Sequence, residues 1–255
     1  VNGHCRDISA GNRHACGILD TGDVVCWGEN YDMTTMTLSA SAVRISAGAD
    51  HTCVVLETGR IYCWGDNTFG KLGDGTFDAQ STPVPVGDDT VEYIDVDAGA
   101  QHTCGIAVNG DLYCWGNSGN GAFGDGSGSF PQNSSPYLTP FQNVVQISVG
   151  DNMHCALFND GSVACSGKND DGQLGDGSTT KRPEVRYNGV NNAVDISCAL
   201  NHCCATITDG SVYCWGRNDY GKSGDFERTG TGTLNRKTSP YKVEFVSDAV
   251  SVEAG

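Results

Sequence analysis

Short apolar runs alternate with turn-forming residues along the whole chain, and the alternation recurs. Five segments begin with a small strand pattern that stops at small residues: "DISAG" at 7–11, "RISAG" at 44–48, "DVDAG" at 95–99, "QISVG" at 146–150 and "DISCA" at 195–199. Behind each come two apolar stretches joined by a polar turn, as in "HTCVVLETGRIYCWG" at 51–65. A glycine-punctuated loop follows in most units ("NTFGKLGDGT" at 67–76, "NDDGQLGDGS" at 169–178), then a last strand such as "STPVPV" at 81–86. No window carries apolar residues at helical spacing, so each unit predicts three or four short strands.

Aligned on the first cysteine of each hairpin (Cys16, Cys53, Cys104, Cys155 and Cys204), the units repeat at 37, 51, 51 and 49 residues. The first spacing is short because unit one lacks the glycine-rich loop. The repeats span 7–43, 44–94, 95–145, 146–194 and 195–249, and "VSVEAG" at 250–255 starts a sixth. Four strands in about 50 residues is the pattern of a β-propeller blade. The expected fold is therefore all-β, a single β-propeller-type repeat domain over 1–255, cut as a window from a longer chain.

The small-residue turn, the His and Cys, the "DG" turn, "VYCWG" and the "N-x-x-G-x-L-G-D-G-T" loop together resemble the regulator-of-chromosome-condensation repeat family. The resemblance covers essentially the whole chain. Such proteins usually close seven blades, which implies a blade count here of five to seven and an incomplete ring. It also implies three kinds of activity: nucleotide exchange on a small GTPase, a binding platform on the propeller face, or a rigid structural module.

The hairpin cysteines lie symmetrically about their turns. With the three-residue loop Glu57-Thr58-Gly59, Cys53 stands opposite Cys63, close enough for a disulfide. Gly22, Gly59, Gly110, Gly161 and Gly210 occupy the last loop position, which favours a left-handed residue. The same pairing gives Cys16–Cys26, Cys53–Cys63, Cys104–Cys114, Cys155–Cys165 and Cys204–Cys214. Cys5, Cys198 and Cys203 are left unassigned. Either Cys5 staples one end of a closed ring to the other through Cys198 or Cys203, or those two bond locally and Cys5 pairs elsewhere.

A His-x-Cys pair suggests half a zinc site, but zinc ligands come in pairs two to four residues apart, and unit four shifts its histidine to His154, behind Met153. No metal or cofactor is expected; each histidine is read as bonding backbone in the turn before its strand. Asp74, Asp125 and Asp176 lack the dense alternating oxygens of a calcium loop and read as turn formers. Five copies of one Cys–His pair do not form an active site, so an enzyme is the least expected class. Trp27, Trp64, Trp115 and Trp215 are expected to pack between blades, Trp64 against the next one; Ser166 replaces the tryptophan of unit four. Asn133-Ser134-Ser135 is an acceptor triplet for an N-linked glycan.

Thirteen cysteines in 255 residues, with these spacings, place the chain in an oxidising compartment, secreted or at a cell surface. Fifteen basic against 31 acidic residues, a net charge of -16, exclude nucleic acid as a partner and weigh against nucleotide exchange in the nucleus. No membrane span is encoded. Because no unit stands out, the expected function is an extracellular scaffold within a surface or filamentous assembly. Its expected partners are other protein subunits, copies of itself among them, and glycans. The alternative is a secreted, inhibitor- or lectin-like binder.

Overall fold

In a computed structural model the described residues are 4–29, 31–127, 132–224 and 236–255. They form twenty strands in five four-stranded antiparallel sheets. Sheet one holds β1 (Cys5–Ala10), β2 (His14–Leu19), β3 (Val24–Gly28) and β4 (Tyr31–Met36), and sheet two β5 (Ala42–Ala47), β6 (His51–Leu56), β7 (Ile61–Gly65) and β8 (Gln80–Pro85). Sheet three holds β9 (Tyr93–Ala98), β10 (His102–Ala107), β11 (Leu112–Asn117) and β12 (Gln132–Leu138). Sheet four holds β13 (Val144–Val149), β14 (Met153–Phe158), β15 (Val163–Gly167) and β16 (Arg182–Tyr187). Sheet five holds β17 (Ala193–Cys198), β18 (His202–Ile207), β19 (Val212–Arg217) and β20 (Arg236–Lys242). Within each sheet the strands pair in chain order, the up-and-down meander of a propeller blade. Among the described residues no helix is long and apolar enough to cross a membrane.

The described chain divides into two compact units, one holding blades one to three and the other blades four and five. Burial follows strand position. The second strand of blades two, three and four is buried at every residue. Continuous burial on both faces explains why these strands read as apolar runs rather than alternating ones. The outermost strands, such as β8 and β16, are half-buried or exposed.

Within each unit successive blades are tied by side-chain hydroxyls on their first strands. Ser9 Oγ accepts the amide of Ala47 at 2.9 Å, Ser46 Oγ that of Ala98 at 3.0 Å, and Ser148 Oγ that of Cys198 at 2.8 Å. The last segment repeats the pattern: Ser197 Oγ accepts the amide of Ala254 at 3.0 Å, and the Asp195 carboxylate that of Val252 at 2.7 Å. Ala249 and Val252 cover the Cys204, Val212 and Cys214 core of blade five. The sixth sequence copy therefore docks where a following blade's first strand would lie.

Candidate functional site

The unit that recurs is the stapled hairpin. Cys16↔Cys26, Cys53↔Cys63, Cys104↔Cys114, Cys155↔Cys165 and Cys204↔Cys214 are direct cross-strand partners. Their Cα atoms stand 4.1 Å apart and their sulfurs are bonded. Gly22, Gly59, Gly110, Gly161 and Gly210 close the turns with φ from 76° to 86°, where a side chain would be strained. A sixth bond joins Cys198 to Cys203 across β17 and β18, so blade five has its three inner strands stapled in series. Cys5 is exposed and free, its thiol directed at the Asp7 carbonyl at 2.9 Å. The structure thus follows the local alternative for these three cysteines, not a bond between the chain ends.

The histidines do not turn back on their own loops as the sequence reading had them. His14 Nε2 lies 2.7 Å from Thr52 Oγ1, and His51 Nε2 lies 2.8 Å from Thr103 Oγ1, each on the following blade. The Thr103 hydroxyl donates to the Lys71 carbonyl at 2.9 Å, so His51 Nε2 must be the donor to Thr103 and the ring is neutral. Burial holds the His51 pKa well below its ordinary value, with the Lys71 ammonium adding to the effect. His14 and His202 are lowered for the same first reason. The turn before each histidine uses small residues because the seam is tight: a Cβ on Gly48 would come within 2.3 Å of the Gly99 carbonyl and 2.5 Å of the His51 ring.

The tryptophans pack backwards. Trp64 belongs to the core of blade one with Ile18, Val24 and Leu56, and Trp115 to that of blade two with Val55, Ile61 and Leu72. Trp215 packs on blade four and donates Nε1–H to the Gln173 carbonyl at 2.9 Å. The expectation that Trp64 meets the next blade is corrected to the preceding one. The reason is the glycine-rich loop of the earlier blade, which folds over the later blade's tryptophan: a Cβ on Gly73 would stand 2.8 Å from Trp115, and one on Gly175 2.9 Å from Trp215. Trp27, on the first blade, is only half-buried.

Blade four solves the missing tryptophan with two residues. Ser166 donates to the Ala122 carbonyl at 2.6 Å, and Phe141 fills the ring space. A Cβ on Gly124, the counterpart of Gly73 and Gly175, would meet Phe141 at 2.7 Å and Ser166 at 3.3 Å. Phe141 is 1% exposed and stacks near His154 and Phe158, at 5.0 and 6.2 Å between ring centroids. Sequence reasoning missed Phe141 because it lies outside the aligned hairpin; its one signal was an apolar aromatic in the loop just before a blade that lacks its tryptophan.

The Asp-Gly loops are organised around an amide. Asn67 Oδ1 accepts the Leu72 amide at 2.9 Å, while Nδ2 faces Asp74 Oδ1, the Thr76 carbonyl and hydroxyl, and the Asp78 carbonyl at 3.1–3.3 Å. Asn169 repeats this with Leu174, Asp176, Ser178 and Thr180. The NH2 group sits where the loop oxygens converge, so these oxygens serve a buried donor rather than a cation. Hydrogen bonds to Ser178 and the Arg182 guanidinium hold the Asp176 carboxyl below its ordinary value despite partial desolvation.

The sequon residue Asn133 lies half-buried on β12, paired with Gly116. A polar groove of about 470 Å³ opens where blades one and two meet, lined by Arg13, His14, Glu29, Tyr31, Asp50 and Asp66 among others. Arg13 bridges Glu29 at 2.9 Å and Asp50 at 3.4 Å while remaining 61% exposed in its side chain.

Known proteins share this arrangement. The human E3 ubiquitin-protein ligase HERC2 is 31% identical over 122 residues, which is 46% of this chain and 2% of that protein. The ultraviolet-B receptor UVR8 of Arabidopsis thaliana is 29% identical over 184 residues, 68% of this chain and 31% of the receptor. The chain therefore spans less than a third of either relative. Among solved structures, human WBSCR16 superposes with a TM-score of 0.80 at 22% identity, over 94% of this chain and 67% of that one. The ectodomain of the Arabidopsis thaliana receptor kinase ACR4 gives 0.56 at 22% identity, over 84% and 64%. The profile described as "Regulator of chromosome condensation (RCC1) repeat" matches residues 5–32, 42–71, 93–122, 144–173 and 193–222, one match per blade. With more than half its residues in those five matches, the chain belongs to the regulator of chromosome condensation (RCC1) repeat family.

Proposed function

We propose that the protein is a non-enzymatic extracellular structural module, a β-propeller-type repeat domain that mediates protein–protein contacts within a larger surface or filamentous assembly. The observation that carries this reading is the stapled hairpin, repeated in all five blades at one register. Such bonds persist in oxidising compartments and are rare where thiol reductants are maintained. They also stiffen each blade at its centre, which suits a rigid spacer. The net charge of -16 opposes chromatin as a partner. A glycan on Asn133 is part of the same reading, and enzymatic deglycosylation of secreted protein would show it as a mass loss.

A second reading is a secreted binder that uses one propeller face. It is favoured by the groove at Arg13, Tyr31 and Asp50, and by the receptor-kinase ectodomain that shares the fold. Intact mass with and without reduction, combined with sizing, separates the readings. A gain of two hydrogens for each of six bonds supports the extracellular setting; ten or more cysteines free before reduction overturns it. An ordered polymer then supports the structural role, and a discrete monomer favours the binder.

A further inference from the structure

Blades four and five meet through sulfur where blades one and two meet through oxygen. At the first seam Thr52 Oγ1 sits between His14 Nε2, at 2.7 Å, and Cys16 Sγ, at 3.7 Å. The corresponding residues at the later seam are Cys203, Met153 and Cys155, as the strand registers show. Met153 and Cys203 share one buried core, and Cys203 Sγ lies 3.7 Å from Cys155 Sγ. Both sulfurs are in disulfides and carry no proton, so this is van der Waals contact between two disulfides. The sulfurs of Cys155, Cys198 and Cys203 all lie within 4.8 Å of one another.

We propose that this seam is a thiol–disulfide exchange site, which an external dithiol can switch from staples within blades to a covalent bond between blades. Cys198 is the entry point, at 8% exposure against none for Cys155, Cys165 and Cys203. A thiolate of the dithiol attacks Cys198 Sγ, the Cys198–Cys203 bond breaks, and Cys203 leaves as a thiolate. That thiolate attacks the adjoining Cys155 Sγ, forming Cys155–Cys203 and expelling Cys165, which takes a proton from water. The second thiol of the dithiol then attacks the mixed disulfide, freeing Cys198 as a thiol and leaving the dithiol oxidised. Two disulfides become one disulfide and two thiols, with both electrons supplied by the dithiol. β14 and β18 are then covalently joined. The seams at Thr52 and Thr103 have a hydroxyl at this position and cannot react in this way.

The inference rests on the oxidised, extracellular reading above, and trypsin separates the two. Peptide 72–168 contains Cys155 and Cys165, and peptide 187–217 contains Cys198 and Cys203, with no internal Lys or Arg before either terminal one. In the starting protein these peptides are separate. After limiting dithiothreitol, blocking with N-ethylmaleimide and digestion, they should run as one species, labelled at Cys165 and Cys198. Separate peptides labelled at Cys198 and Cys203 overturn the relay, since they show local reduction only. Cys198→Ser supplies the Cys203 thiol without reductant, and the joined species should form about tenfold faster per pH unit below a thiol pKa of about 8.5. A Cys198→Ala/Cys203→Thr control, which restores the residue of blades two and three, should never join. Cysteines already free in untreated protein overturn both readings; bonded cysteines that never join the peptides overturn the relay alone.

Discussion

Mild acid should loosen the seam between blades two and three through His51. The side chain is 1% exposed, and its Nε2–H is committed to Thr103. A second proton would go to Nδ1, which has no hydrogen-bond partner among the described residues, and would add a cation near the Lys71 ammonium. The folded-state pKa is therefore far below the unfolded value of about 6.5. The sign is fixed by that order: the unfolded chain takes the proton more readily, so the stabilisation is complete above about pH 6.5 and is lost as pH falls. Between about pH 7.5 and 5.5 one such histidine costs about 1.4 kcal/mol. Carboxylates contribute little over that window, because Asp66 and Asp176 are lowered from an already acidic range. His14 and His202 shift in the same direction, so the wild-type loss exceeds that of His51 alone. The assay is urea unfolding by tryptophan fluorescence, in wild type and in His51→Met, the residue blade four carries there. The variant should be less stable at neutral pH but lose about 1.4 kcal/mol less over the window. Parallel pH profiles for the two proteins would refute the reasoning.

Replacing Cys53 and Cys63 by alanine opens a loop with a sequence separation of 10, and the chain-entropy relation gives a loss of about 2.7 kcal/mol. The Cys104–Cys114 pair closes an equal loop and should cost the same, while Cys198–Cys203, with a separation of 5, should cost about 2 kcal/mol; denaturant midpoints check all three. Phe141→Ala should lose about 3–5 kcal/mol, and Ser166→Trp about 1–3 kcal/mol by overpacking, yet the double variant should recover much of both. Additive losses in that cycle would show that Phe141 does not occupy the tryptophan space. Asn169→Ala leaves the Leu174 amide and a ring of loop oxygens unpaired, costing about 1–3 kcal/mol, and hydrogen exchange of the Leu174 amide should speed up.

The hairpins were legible because everything that sets them is local. Ten residues from cysteine to cysteine, a glycine at the end of a three-residue turn and apolar flanks determine a register, and the register brings the sulfurs together. The fourth strands were visible for a similar reason, since "STPVPV" and its counterparts follow the glycine-rich loop at a steady distance. What could not be read were the contacts between blades. His14 bonds Thr52 across 38 positions and His51 bonds Thr103 across 52, with no local pattern to announce either. A histidine just ahead of its own strand looks like a turn residue unless the neighbouring blade is in view. The direction of tryptophan packing failed on the same ground: the deciding residues, Gly73 and Gly175, belong to the previous blade's loop.

Residues that recur in every blade have recurring jobs, which is why the repeats disclose the fold so fully and the function so little. Serine on the first strand ties one blade to the next, cysteine staples the hairpin, and asparagine gathers the loop oxygens. None of these tasks distinguishes one blade from another. Individual character lies where the pattern breaks: Ser166 with Phe141, Met153 opposite Cys203, and the additional Cys198–Cys203 bond. All of them fall in the unit formed by blades four and five. Each break is matched by a second change at the same seam, an aromatic for a lost tryptophan and a sulfur pair for a lost His–Thr pair. The second pair also introduces a chemistry, exchange between neighbouring disulfides, that the blades with threonine do not possess. A seam whose packing is restored by substitution but whose reactivity is new is the place where this propeller differs from a uniform scaffold.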